Sequence, residues 1–121
     1  MVRSMTSALA LTALISISNA ALAAGAIAVD DSVGTKASEA GYGVGSGSTR
    51  EKAAADAVAQ CKKAGNDSCE IAVRYDMCGA YAASTEYAGI GWGKSEADAR
   101  KKALEDCGDS ACKVVVSDCS E

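Results

Sequence analysis

The alternation of residue types over residues 41–61 predicts a strand followed by a helix. "GYGVGSG" places glycine at every second position, and because alternate side chains of a strand share a face, one face of this strand is bare. In the "STREKAAADAVAQC" that follows, small or apolar residues recur at i, i+4, i+5 and i+8 with charged residues between them. That period indicates a helix with one narrow packing face. Ser48 and Glu51 have the spacing of a capping box at its start.

The same pattern returns at "GIGWGKSEADARKKALEDC", where Ser95 and Asp98 repeat the capping-box spacing. Beyond each helix, "CEIAVRYDMC" matches "CKVVVSDC", and both read as β-branched strands. Upstream, "GAIAV" resembles "GAYAA". Without a gap, the two copies align Gly43 with Gly89, Gly45 with Gly91, Gly47 with Gly93, Ala53 with Ala99, Ala57 with Ala103, and Cys61 with Cys107. Self-similarity of this kind indicates an internal duplication.

The duplication predicts an α+β domain of two tandem strand-strand-helix-strand repeats. Repeat one covers residues 25–78 and repeat two covers residues 79–119, within about two residues at each boundary. We expect their strands to form a largely antiparallel sheet with both helices on one face.

The alternating glycines form two glycine stripes, at positions 43, 45 and 47 and at positions 89, 91 and 93. Each glycine in a strand costs roughly 0.5–1 kcal/mol of stability relative to alanine, so another contact has to offset this cost. A bare strand and a helix whose packing face is alanine can approach closely, and the contact they gain offsets that cost. The alternative is an anion cradle at a helix N-terminus. Neither Gly-x-Gly-x-x-Gly nor Gly-x4-Gly-Lys-Ser/Thr is present, which favours packing over a nucleotide site.

Residues 1–23 are predicted to be a cleaved secretory signal peptide. "MVR" supplies a positive start, "ALALTALISI" an apolar stretch, and Ala21-Leu22-Ala23 a small-x-small cleavage site. The apolar stretch is about half the roughly 20 residues that span a bilayer, so we expect no membrane insertion after cleavage. Residues 24–121 then form a single exported domain, periplasmic or extracellular.

The charge balance argues against nucleic acid as a partner. The chain has 12 basic and 16 acidic residues, a formal net charge of −4, and the two signs are interspersed. A phosphate backbone is bound by a basic block, and no such block occurs in this sequence.

All six cysteines follow the predicted leader. An even number in a small exported chain indicates three disulfides, although six cysteines allow 15 pairings. In each copy one cysteine ends the helix and the next begins the following strand, which leaves the strand-end cysteines to join the two halves. The pairs suggested are Cys61–Cys69, Cys107–Cys112 and Cys78–Cys119. The alternative is a thiolate metal site, against which no Cys-x2-Cys spacing occurs. We expect no metal and no cofactor.

These residues resemble a family of small exported bacterial proteins catalogued as domain of unknown function 4189. The resemblance covers the whole chain beyond the leader, and its most specific part is "CEIAVRYDMCGAYA" at 69–82. It implies an extracytoplasmic domain with no assigned catalytic residues. Members often end in Trp-x-Cys, whereas this chain has Ser117-Asp118-Cys119, so no role for that tryptophan is carried over.

Catalysis is not expected. The chain has no histidine, the commonest general base. If all six cysteines are bonded, no thiol nucleophile remains, and no Gly-x-Ser-x-Gly elbow occurs. Two carboxylates can run glycoside hydrolysis, but no pair is singled out by the sequence.

The open face of the predicted sheet is a candidate binding surface. If both helices cover one face of the sheet, the opposite face stays open, and tyrosine, tryptophan and arginine on it are types enriched at interface hot spots. Counting alternation, we expect this face to carry Tyr42, Val44, Arg74, Asp76, Ile90, Trp92 and Lys113. The alternative for Trp92 is that it fills a local gap beside a glycine or lies under the connection at 30–40.

The expected function is a small exported non-catalytic interaction module that binds a protein partner through the open sheet face. An inhibitor, an immunity-type protein and a secreted factor all fit this description. The alternatives are a passive envelope or extracellular structural protein and a small carboxylate-dependent cell-wall hydrolase.

Overall fold

The computed structural model describes residues 23–32, 34 and 36–120, and within them the chain is two strand-strand-helix-strand units in succession. Almost all of the predicted signal peptide, residues 1–22, lies outside the described residues. The elements are β1 (Ala24–Asp30), a short 3-10 helix (Ala37–Glu39), β2 (Gly41–Gly47), α1 (Arg50–Lys63), β3 (Glu70–Tyr75), β4 (Cys78–Ala83), β5 (Ala88–Gly93), α2 (Glu96–Cys107) and β6 (Lys113–Cys119).

Both helices begin at a hydroxyl cap. The Ser95 hydroxyl accepts a hydrogen bond from the Asp98 backbone N–H at 3.1 Å, as the spacing predicts. In α1 the cap is Thr49, which accepts from the Lys52 N–H at 3.1 Å, so the predicted cap at Ser48 is one residue too early. Thr49 is the residue that aligns with Ser95 in the duplication, so the repeat identifies the cap better than the local motif does.

The strands form two antiparallel three-stranded sheets with the orders β2-β1-β3 and β5-β4-β6. The α+β class and the duplicated unit are confirmed. The structure differs from the expected arrangement in one respect: each unit builds its own sheet, and each helix packs on its own sheet. α1 packs on β1 and β2, and α2 packs on β4 and β5.

The glycine stripes lie directly under the helix backbones. A Cβ on Gly45 would lie 2.6 Å from the carbonyl oxygen of Ala53 and would overlap the backbone nitrogen of Ala57. Gly91 has the same relation to the backbone of Ala99 and Ala103. These are backbone atoms that cannot move aside, so the glycines are needed for close helix-to-strand packing.

The two sheets pack against each other through the faces that the helices leave uncovered. Their shared core contains Ile27, Val73, Tyr75 and Tyr81, all at most 4% exposed. The chain is therefore layered helix, sheet, sheet, helix, with the helices on opposite outer sides. The sheet face expected to be open is mostly this buried layer, because each face carries apolar side chains and the other unit is there to cover them.

Three disulfides are present, Cys61–Cys69, Cys107–Cys112 and Cys78–Cys119, the pairs that the duplication suggests. The first two connect a helix end to the strand that follows it. Cys78 and Cys119 are directly opposite each other on β4 and β6, so this bridge closes the second sheet. From the sequence we expected this bridge to join the two halves, and that expectation is wrong. Cys78 is the first residue of β4, so both cysteines belong to the second unit.

Neither described helix has the length and hydropathy that a bilayer-spanning segment needs.

Candidate functional site

A groove with a cavity volume of about 900 Å³ lies between β3 of the first sheet and β5 of the second. We name it the β3–β5 groove. β3 and β5 are edge strands of their sheets, and they meet because the two sheets pack face to face. The groove is lined by Arg50, residues 71–75 of β3, Asp76, Met77, Cys78, Ile90, Trp92, Gly93, Lys94, Asp98 and Lys102.

β3 forms one wall with its edge. The groove is lined by five consecutive residues, 71–75, whereas a strand that presents a face contributes only every second residue. The register with β1 shifts at Ala72, so Ala72 and Val73 both pack toward the second sheet, and the wall is the outer edge of β3, on the side that β1 does not use.

The opposite wall is apolar and holds an exposed tryptophan. Trp92 lies opposite Gly79 in the second sheet, and 56% of its surface is exposed. Ile90 lies on the same face of β5, is partly buried and packs against the inter-sheet core. Met77, half exposed in the turn between β3 and β4, adds a flexible apolar side chain at one end.

A bidentate ion pair between Arg50 and Asp76 lies at one side of the groove. The Arg50 guanidinium donates to both carboxylate oxygens of Asp76, from Nη2 at 2.7 Å and from Nε at 3.1 Å. Hydrogen bonding from Arg50 holds the pKa of Asp76 below its ordinary value, and the same pair raises the pKa of Arg50. Because a hydrogen bond to the charged form favours ionisation, Asp76 is a fixed carboxylate at neutral pH.

Three further cations line the groove: Arg74, Lys94 and Lys102. Within the part of the chain that the structure describes, none of the three has a carboxylate within 4.0 Å. Four cations, Arg50, Arg74, Lys94 and Lys102, face two carboxylates, Asp76 and Asp98, so the groove combines an apolar wall with a net charge of +2, although the chain as a whole is acidic.

Four of the seven residues predicted for the open face meet in this groove: Arg74, Asp76, Ile90 and Trp92. They do not share one open sheet face, as alternation suggested. Arg74 lies opposite Ala26, whose side chain packs against α1, so Arg74 is on the helix side of its sheet, whereas Trp92 is on the inter-sheet side.

The other three, Tyr42, Val44 and Lys113, are not among the residues that line the groove. Tyr42 lies opposite Val29 on β2 and is 43% exposed. Lys113 is exposed at the start of β6, opposite Ala83. Val44, on the same face of β2 as Tyr42, packs at the margin of the inter-sheet core.

Sequence reasoning did not identify Arg50, Lys94 and Lys102 as groove residues. Arg50 begins α1, Lys94 follows β5, and Lys102 is on α2, so no single periodicity connects them. Lys94 stands two residues after Trp92, and this proximity was the only local signal available.

Comparison with known proteins identifies a family for this chain. A family model described as "Domain of unknown function (DUF4189)" matches residues 24–119, which is all but two residues of the chain beyond the predicted leader. No curated protein and no solved structure matches the chain.

Proposed function

Because this chain belongs to the DUF4189 family, whose description names no activity, we propose a function from its surface: it is an exported, non-catalytic interaction module that binds a protein partner in the β3–β5 groove. The proposal depends on one observation. Trp92, the only tryptophan in the chain, is more than half exposed in a concave site. Tryptophan and arginine are the side chains that most often dominate the energy of a protein interface.

The shape of the groove favours a macromolecular partner over a small molecule. Small-molecule pockets bury most of the ligand surface within largely enclosed, apolar walls. In the β3–β5 groove, Trp92 and Met77 are about half exposed, so a ligand that covers them has to extend beyond the cavity.

The electrostatics of the groove support binding over catalysis. A general acid needs a raised pKa near the working pH, whereas the pKa of Asp76 is lowered by Arg50. The Arg50–Asp76 pair is suited to holding a fixed charge pattern at the rim of the groove.

The three disulfides support export. Disulfides persist in oxidising compartments and are rare in the cytosol. Together with the predicted leader over residues 1–23, they favour a periplasmic or extracellular location.

Site-specific photo-crosslinking in the producing cells tests the proposed function. A benzoylphenylalanine replaces Met77 inside the groove, and in a matched control it replaces Leu104, an exposed apolar residue of α2 that does not line the groove. We expect one adduct of defined mass from position 77 and none from position 104. The adduct should disappear when Trp92→Ala is added.

Two results would contradict this function. One is the absence of any protein adduct from position 77 at native expression levels. The other is the same adduct from both positions, which would show contact without a defined site and would favour a passive structural role.

A further inference from the structure

The two sheet edges that carry the glycine strands are blocked by carboxylates from the helices. Asp56 of α1 accepts a hydrogen bond from the backbone N–H of Ser46 in β2 at 3.0 Å. Asp106 of α2 accepts from the backbone N–H of Ile90 in β5 at 2.9 Å. An edge N–H that already has a partner is a poorer template for another strand.

The β3 edge, in contrast, carries no such block. Over residues 71–74, no side chain of the described part of the chain hydrogen-bonds to the backbone of β3. This edge faces the β3–β5 groove. An antiparallel edge strand directs alternate N–H and C=O groups away from its neighbour, and these groups can pair with an added strand.

We infer that the occupant of the groove is an extended acidic segment of a partner protein, which adds to the first sheet as a strand beside β3. The inference rests on the proposed function and specifies what the groove recognises. β3 has six residues, so at about 3.4 Å per residue a partner strand of about six residues spans it, with one interruption of the alternation where the register of β3 shifts at Ala72.

The two sides of the first sheet determine the side-chain pattern of this strand. Arg74 is on the side of α1, and Arg50 at the start of α1 lines the same groove. Ile90 and Trp92 belong to the second sheet and lie over the other side. Because successive side chains of a strand point to opposite faces, the partner strand places acidic residues beside Arg74 and apolar residues beneath Trp92, in alternation.

Charge complementarity selects acidic residues for the polar positions. Arg74 lines the groove on the α1 side without a carboxylate within 4.0 Å among the described residues, whereas Lys94 and Lys102, on the side of the second unit, attract an acidic segment as a whole and are offset in part by Asp98. A chain of net charge −4 repels acidic segments elsewhere on its surface, so this groove is where such a segment gains attraction.

The test begins with a display library of random ten-residue peptides, selected on the purified, oxidised protein and counter-selected on its Trp92→Ala variant. We expect enriched peptides in which acidic and apolar residues alternate. Their affinity should fall at least about tenfold with Arg74→Glu. The matched reversal Arg100→Glu, on an exposed helix position outside the groove, should leave the affinity within about twofold.

A backbone N-methyl scan of the best peptide then tests strand pairing. N-methylation removes the amide donor, so affinity should be lost at every second position and retained at the positions between them. A helix or an irregular loop gives no such period.

Each outcome separates the two claims. Peptides that depend on Trp92 but show no period-two sensitivity, or that tolerate Arg74→Glu, overturn the acidic strand while leaving groove binding intact. A selection that enriches no peptide dependent on Trp92 overturns the acidic strand, whereas the proposed function is overturned by the absence of a protein crosslink from position 77.

Discussion

The Tyr75 hydroxyl donates a hydrogen bond of 2.8 Å to a carboxylate oxygen of Asp118, and this bond connects β3 of the first unit to β6 of the second. The ring of Tyr75 lies against two glycines, Gly25 on β1 and Gly79 on β4, and a Cβ on either would overlap it. One aromatic side chain of the first unit is therefore held between the central strands of both sheets. This contact accounts for two glycines that are outside the strand stripes.

Tyr75→Phe should lower the free energy of unfolding by about 1.5 kcal/mol, because it removes one hydrogen bond to a carboxylate while keeping the ring between the sheets. Denaturant unfolding of both proteins measures the difference. Tyr87→Phe, at a tyrosine that is 58% exposed, is the control and should change stability by less than about 0.5 kcal/mol. Equal effects of the two substitutions would mean that the Asp118 bond contributes nothing.

Alkaline pH should weaken the same contact. Burial, followed by the hydrogen bond to Asp118, raises the pKa of Tyr75 in the folded state above its ordinary value. Its stabilising contribution is thus complete below the unfolded pKa of about 10 and is lost as the pH rises above that value. The difference in free energy of unfolding between wild type and Tyr75→Phe should therefore shrink from about pH 9 to about pH 11. Lysines and the other tyrosines titrate in both proteins, so their effects cancel in this difference. A difference that is constant over this range would contradict the assignment.

Gly91→Ala should be severely destabilising. The new Cβ would overlap the backbone of Ala99 and Ala103, and a loss of roughly 3 kcal/mol or more is expected because neither backbone can yield. Gly93→Ala, on the same face of the same strand, is the matched control: its Cβ would first meet the Asp98 Cβ, at 2.9 Å. We expect a loss of roughly 1 kcal/mol there, measured by thermal unfolding of the oxidised protein. A smaller effect at Gly91 than at Gly93 would contradict the close packing of α2 on β5.

The loss of stability on removing each disulfide should increase with the length of chain that the disulfide closes. The sequence separation is 41 for Cys78–Cys119, against 8 for Cys61–Cys69 and 5 for Cys107–Cys112. The chain-entropy model then gives roughly 4 kcal/mol for the first and roughly 2–2.5 kcal/mol for the other two. Paired serine substitutions, with the remaining four cysteines kept oxidised, measure each contribution by denaturant unfolding. The reverse order would mean that loop closure does not dominate their effect.

Local pattern was sufficient for each unit of the fold. The duplication predicted two copies of strand, strand, helix and strand, and the glycine stripe predicted which strand each helix approaches. Both follow from short-range geometry, since alternation along a strand and a helical period are properties of neighbouring residues. The cap at Thr49 shows the limit of local reasoning, because two adjacent hydroxyl residues satisfy nearly the same motif.

The candidate site depends on long-range placement. Arg74 and Trp92 belong to different sheets and to opposite faces, so no count of alternation brings them together. Arg50 reaches the groove only because α1 begins beside the turn that carries Asp76. Lys102 does so because α2 packs on β5.

The amino-acid sequence alone determined the repeat, the elements and the helix-to-strand contacts, since each of these depends on residues within a few turns of one another. Only the tertiary structure decided that the two copies build separate sheets and cover each other's free faces. Alternation states which side chains share a face, but the surface that buries that face belongs to a distant part of the chain. The β3–β5 groove is a consequence of this face-to-face packing, because it exists only where the edge of one sheet meets the edge of the other.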